Sequence, residues 1–170
     1  MDPVIITPDD VAEAVRRAPN WKSPGLDGLH HYWLKGFVVC HAMLARQFQE
    51  ALDQKSLLSL FTTGITHLVP KDRDSTYPSK YRPITCLTTI YKTLTSILSA
   101  KITHHLNSNQ VMSHAQNGCR VGGRGTKKPL FIDTVIGKVI KRNRRNLSAV
   151  WIDYKKAFDS VPHTLLKRVV

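Results

Sequence analysis

The chain has 170 residues, 42% of them hydrophobic and 22% charged, a balance that excludes disordered and fibrous classes and suits one globular domain with a buried core. Its formal net charge is +13, and the excess is lopsided: residues 1–100 carry 11 Lys and Arg against 9 Asp and Glu, whereas residues 101–170 carry 14 against 3. Such a half is the electrostatic footprint of a polyphosphate partner, although a cationic surface that binds no nucleic acid has the same composition.

The opening stretch MDPVIITPDD is acidic and poor in apolar residues, which excludes a secretory signal or transit peptide. No apolar run approaches the roughly 18 residues of a membrane helix. Cys40, Cys86 and Cys119 are odd in number and far apart, with no disulfide framework. His104, His105, His114 and Cys119 match no zinc spacing. The expectation is a soluble intracellular chain, nuclear or cytoplasmic, not secreted and with no membrane partner.

Thr7, Pro8, Asp9 and Asp10 predict a helix start: a capping hydroxyl, a proline suited to the first helical position, and acids where the helix dipole favours them. Val11, Ala14, Val15 and Ala18 give the helix its apolar face, and Pro19 and Asn20 end it. Residues 22–28, KSPGLDG, read as a loop. One long helix is expected from Tyr32 to Asp53, facing inward with Leu34, Phe37, Val38, His41, Leu44 and Phe48. Ile65 to Val69 predicts a short strand ended by Pro70, a polar loop runs from Lys71 to Ser79, and Tyr81 to Leu87 resumes as strand or turn. Ile90 to Leu106 marks another long helix.

A second glycine-rich loop follows at 117–125, then an amphipathic helix from Pro129 to Arg142 with Ile132, Val135, Ile136, Val139 and Ile140 inward and a strongly basic far end. The run Ala149-Val150-Trp151-Ile152 predicts a strand covered on both faces, with Asp153 at its end. Ser160-Val161-Pro162 opens a last helix, which reaches Val169 and Val170 with no capping residue, so the chain is expected to be truncated.

Three features suggest chemistry. A carboxylate leaving a buried strand needs a partner, and magnesium takes one or two such groups plus substrate phosphates; Asp153 fits that role, and equally fits a cap on the next turn. Phe158 lies five residues on, near any nucleotide held there or simply in the core. Arg120 and Arg124 sit between glycines that let backbone approach phosphate, but the loop is neither a Walker sequence nor GxGxxG. Lys71 and Arg82 bracket the polar loop and can reach phosphate, or be merely solvated. Asp159 suits a backbone hydrogen bond at the last helix.

Taken in order, four blocks resemble non-LTR (LINE-type) retrotransposon reverse transcriptases: KSPGLDGLHHYWLK at 22–35, HLVPKDRDSTYPSKYRPITCLTTIYKTLTSIL at 67–98, QNGCRVGGRGTK at 116–127 and AVWIDYKKAFDSVPHTLL at 149–166. The resemblance implies a helix-rich α+β chain forming part of a right-hand polymerase fold, with residues 1–35 an N-terminal block, 36–146 the fingers and 147–170 the truncated start of the palm. It implies that Asp153 is catalytic and ligates Mg2+, that Phe158 lies under the sugar of the incoming nucleotide as a steric gate, and that Lys71 and Arg82 contact the triphosphate. Gln116, Gly118 and Arg120, with Arg124 from the same loop, would lie by the template–primer.

The implied function is RNA-directed DNA synthesis from an RNA template, a DNA primer and deoxynucleoside triphosphates. Cys119 stands where the family usually has Phe, and Lys128-Pro129 where an acidic-polar pair is commoner. The family's aspartate pair after an aromatic turn does not occur in the chain, and one carboxylate cannot hold two metals about 4 Å apart. The chain alone is therefore expected to be inactive. The other readings are a non-catalytic, basic nucleic-acid-binding relic of a retroelement, or a decayed reading frame without function.

Overall fold

The computed structural model describes residues 3–71, 76–113, 116, 118, 125, 127–154 and 160–169, the side chain of Val169 excepted. Two compact units divide the chain, residues 1–113 and residues 114–170. Mixed helix and a small antiparallel sheet make it α+β and helix-rich, as expected.

The first unit opens with α1, Pro8–Arg17. Thr7 caps it reciprocally: its hydroxyl accepts from the Asp10 N–H at 3.2 Å, and the Asp10 carboxylate accepts from the Thr7 N–H at 2.9 Å. Val11, Ala14 and Val15 are buried, the face that the spacing predicts. The extended segment before α1 is held by Gln49, whose side chain accepts from the Ile6 N–H at 2.8 Å.

The single helix expected over 32–53 is instead two, α2 (His31–Gly36) and α3 (Val39–Asp53). Gly36 is a poor helix former, and Phe37 leaves helical geometry at φ −92° and ψ 64°. Phe37 and Val38, expected inside, are exposed as a result. The break frees the Leu34 carbonyl, which accepts at 2.9 Å from Nε2 of buried His41. His41, Leu44, Ala45 and Phe48 are the buried face of α3.

A short helix, α4 (Ser59–Thr62), leads to β1 (Gly64–Pro70), which pairs antiparallel with β2 (Tyr81–Leu87). The register sets Val69 opposite Arg82 and Thr66 opposite Thr85, and the two threonine hydroxyls hydrogen-bond at 2.9 Å. A lone pair of strands is marginal in water; here its base is fastened to α5, Thr89–Ser108. The core of this unit joins α1, α2, α3 and α5 through Val11, Val15, Leu34, Phe48, Leu94 and Ile97.

In the second unit, α6 spans Lys127–Arg142 and α7 spans His163–Val169. Two expectations fail here. Ile132, Val135, Ile136 and Val139, expected inward, are exposed, and Ile140 is half-buried. Residues 147–154 form no strand: Val150 is 83% and Trp151 77% exposed. Strand geometry and the burial of an apolar face are both cooperative. Among the described residues no strand pairs with 147–154, so hydrophobic composition alone does not make a ladder.

Among the described residues no helix is long and apolar enough to cross a membrane.

Candidate nucleotide and nucleic-acid interface

Lys71 and Arg82 come together through the hairpin. Side chains directly opposite in an antiparallel pair share a face, as do those two apart on one strand. Arg82 therefore shares a face with Val69, and Lys71, two residues beyond Val69, continues it. The ladder extends one step past β1, since the Lys71 N–H donates to the Lys80 carbonyl at 2.8 Å. The Lys71 ammonium donates to the Ser79 carbonyl at 3.0 Å. Both cations are exposed, and among the described residues neither is paired with a carboxylate. Two exposed cations on one face of a short hairpin suit an anionic ligand.

What fixes this hairpin is the segment 22–28. The Asp27 carboxylate accepts from the N–H groups of Thr89 at 2.6 Å and Ile90 at 3.4 Å, the first turn of α5. Thr89 returns the contact by donating its hydroxyl to the Leu29 carbonyl at 2.6 Å. The Lys92 ammonium donates to the Ser23 carbonyl at 2.8 Å. Gly25 lies flat on the Leu87–Thr88 peptide, where a Cβ would overlap backbone atoms. The loop thus clamps the junction between β2 and α5, and so the strand that carries Arg82. The sequence marks 22–28 as a loop and as the start of the block at 22–35, without naming its partner; the signal that points further is an Asp between glycines together with a helix whose start has no acid of its own.

The buried ring of His31 lies behind this clamp. Burial, then the Lys92 and Lys35 charges, hold its pKa below the usual 6.5, against an opposing pull from Asp27.

In the second unit, Asp153 is exposed, as are Trp151, Ile152 and Tyr154 beside it. The cost of burying a carboxylate therefore gives no reason for Asp153 to be there. Gln116 and Gly118 are exposed, and the Gln116 side chain donates to the Gly118 carbonyl at 3.1 Å. Lys141, Arg142, Arg144 and Arg145 are exposed around the end of α6, where the helix dipole favours cations. Arg120, Arg124, Phe158 and Asp159 lie outside the described residues, as do His114 and Cys119.

Asp153 offers the oxygen donor that a hard divalent cation prefers. Among the described residues no three His, Cys, Asp or Glu side chains gather about one point. The donor type fits a divalent ion, and among the described residues the number of donors falls short of a two-metal centre.

Residues 69–170 match the family described as reverse transcriptase (RNA-dependent DNA polymerase). Three proteins are similar over most of the chain. The "Retrovirus-related Pol polyprotein from type-1 retrotransposable element R2" of Popillia japonica is 31% identical over 154 residues, 88% of this chain and 20% of that protein. The "Transposon TX1 uncharacterized 149 kDa protein" of Xenopus laevis is 28% identical over 162 residues, 95% of this chain and 12% of that protein. The "Probable RNA-directed DNA polymerase from transposon BS" of Drosophila melanogaster is 24% identical over 165 residues, 91% of this chain and 17% of that protein. The chain thus spans between 12% and 20% of the length of these relatives.

Proposed function

The chain belongs to the reverse transcriptase (RNA-dependent DNA polymerase) family, of the non-LTR retrotransposon kind, and from that premise we propose that it supplies the fingers and first palm segment of a polymerase that copies an RNA template into DNA. Family membership brings a nucleic-acid template and primer, nucleotides and divalent metal ions. Mg2+, deoxynucleoside triphosphates and an RNA template are the finer assignment. The observation that carries the reading is the register of β1 and β2, which sets two exposed cations, Lys71 and Arg82, on one sheet face.

In this reading Lys71 and Arg82 hold the triphosphate of the incoming nucleotide by charge-assisted hydrogen bonds and orient it for in-line attack. Phe158 lies under the sugar. Gln116, Gly118, Arg120 and Arg124 face the template–primer, and the basic end of α6 lies by the nucleic-acid backbone. Asp153 would hold a divalent cation, which when bound neutralises charge on the reacting phosphates. One carboxylate is not enough for the two-metal reaction, and no aromatic-x-Asp-Asp turn occurs in the chain. We therefore read these 170 residues as contributing binding surface, not catalysis on their own.

Two measurements test this. The chain alone should incorporate no deoxynucleotide on an RNA–DNA primer–template with Mg2+; robust extension would overturn the assignment of an incomplete centre. It should bind a fluorescent deoxynucleoside triphosphate, and Arg82→Ala should weaken that binding roughly tenfold, the worth of one charge-assisted contact. Unchanged affinity in the variant would remove Arg82 from the nucleotide site.

The concentration of charge in residues 101–170, with 14 basic against 3 acidic side chains, also favours a second reading, a nucleic-acid-binding module without catalysis. It predicts affinity for RNA and DNA that falls steeply with salt. Binding equal at low and physiological salt would exclude it.

A further inference from the structure

β2 has a strand on one side only: among the described residues its sheet consists of β1 and β2. Residues of an antiparallel pair alternate between those that bond across it and those whose N–H and C=O turn away. The bond from the Lys71 N–H to the Lys80 carbonyl fixes the phase. Counted along the register from that rung, Arg82, Ile84 and Cys86 bond to β1, and Tyr81, Pro83, Thr85 and Leu87 turn their backbone groups outward. Pro70 and Pro83 both occupy outward positions, where a missing N–H costs the ladder nothing.

Much of this outer edge is already used. The Tyr81 N–H donates to the Pro78 carbonyl, and the Leu87–Thr88 peptide lies under Gly25. The Pro83 carbonyl and the N–H and carbonyl of Thr85 are left, with no partner among the described residues. Both residues are exposed. An open rung of this kind is where another strand adds.

The rung borders an open cleft of about 570 Å³ between the end of α1, β2 and α5. Ile84, Thr85 and Cys86 all line it. Side chains alternate between faces along a strand, so a cleft that meets three residues in a row meets the strand at its edge. Its wall is apolar at Ala18 and Pro19 and cationic at Lys22 and Lys92, and among the described residues no carboxylate lines it. Lys92 gives one ammonium proton to the Ser23 carbonyl at 2.8 Å and keeps two. Lys22 has no ion pair among the described residues. Arg17, also in the wall, is held by Glu13 at 2.6 Å.

These groups select the occupant. Two of the three free edge groups are carbonyls, which only accept hydrogen bonds and so cannot bond a phosphate or a carboxylate. A peptide backbone satisfies all three, because it offers donors and acceptors at strand spacing. The two lysines then favour acidic side chains on that peptide. We propose that β2 binds an extended acidic segment of a partner protein as a third strand, with backbone bonds to Pro83 and Thr85 and carboxylates on Lys22 and Lys92. The proposal does not depend on the polymerase reading.

Titration of the full chain with a labelled hexapeptide of alternating glutamate and valine tests it. A hexapeptide with lysine in place of glutamate and a short oligothymidylate are run beside it. Binding is read by fluorescence anisotropy and by the Thr85 amide resonance, identified by its loss in Thr85→Pro. Saturable binding of the glutamate peptide that moves this resonance and slows its hydrogen exchange is the expected result, with the lysine peptide roughly tenfold weaker. Thr85→Pro removes an outward N–H only and should weaken binding roughly tenfold. Thr85→Val loses the hydroxyl bond to Thr66 but keeps the N–H, and should bind as the unaltered chain does. Lys22→Glu should also weaken binding roughly tenfold, without changing thermal unfolding. Absence of saturable binding overturns the proposal, as does equal binding of the two peptides or an equal loss in Thr85→Val and Thr85→Pro. So does an oligothymidylate that moves the Thr85 amide when the glutamate peptide does not, since the cleft would then take nucleic acid.

Discussion

The Asp27 carboxylate accepts a 2.6 Å hydrogen bond from the backbone N–H of Thr89, 62 residues later in the chain. The first N–H groups of a helix have no partner within it, and α5 receives one from another segment. Thr88 contributes a second, its hydroxyl accepting from the Tyr91 N–H at 3.3 Å. The N-terminal block and the β2–α5 junction are thereby one structural object, and Arg82 is carried on it.

Removing that cap should be costly and specific. Asp27→Ala should lower the unfolding free energy by about 1–2 kcal/mol, read from urea denaturation. Asp27→Asn keeps an acceptor oxygen and should recover most of the loss. Equal stability of Asp27→Ala and the unaltered chain would show that the Thr89 N–H finds water as readily as the carboxylate.

Gly25 should tolerate no side chain. A Cβ there would overlap the Leu87 carbonyl and the Thr88 nitrogen, and backbone cannot yield as a flexible side chain does. Gly25→Ala should destabilise by about 1–3 kcal/mol and broaden amide resonances from Leu87 to Ile90. Gly28 has φ +62° with open space around it, so Gly28→Ala should cost less, through backbone conformation alone.

Acid should loosen the start of α1. Burial raises the Asp10 pKa, but the hydrogen bond from the Thr7 N–H and the Lys101 ammonium at 2.9 Å outweigh it and hold it below the usual 3.8. A depressed folded pKa gives stability that is present above the unfolded value and disappears as pH falls through the folded one. Asp10→Asn should therefore lower the urea midpoint at neutral pH and converge with the unaltered chain in strong acid. Parallel curves across the whole range would refute the linkage. Glu13, held down to about 2 by hydrogen bonds from Arg16 and Arg17, lies at the surface in solvent-screened ion pairs and should add little.

The two units should respond differently to the same truncation. Val11 is fully buried, so Val11→Ala removes two methyl groups and should cost about 2 kcal/mol. Val139 on α6 is 50% exposed, and Val139→Ala should fall within about 0.5 kcal/mol of neutral. A large loss at Val139 would mean that the face of α6 is covered in solution.

Much of this architecture can be read from short stretches of chain. Thr7, Pro8 and Asp10 specify a helix start within four residues, and the cap forms as they predict. The strands around the polar loop, and the helix from Thr89, follow from β-branched runs and 3.6-residue spacing. The four ordered blocks were enough to identify the family, since their residue types and order survive without any knowledge of packing.

Burial and partnership are different, because they depend on what arrives from elsewhere. The spacing of Leu34, Phe37, Val38 and His41 suits one helix, yet Gly36 and the His41–Leu34 hydrogen bond favour a break. The apolar faces of α6 and of residues 147–152 are as hydrophobic as any core segment, and they stand exposed. Periodicity marks a surface that burial would favour but does not provide the second surface that buries it. Asp27 and Gly25 show the same thing in reverse: their partners lie more than sixty residues away, and no local pattern could have named them. Caps, turns and hydrophobic periods act over a few residues and are legible in the chain; which face is covered, and by what, is set when distant segments pack.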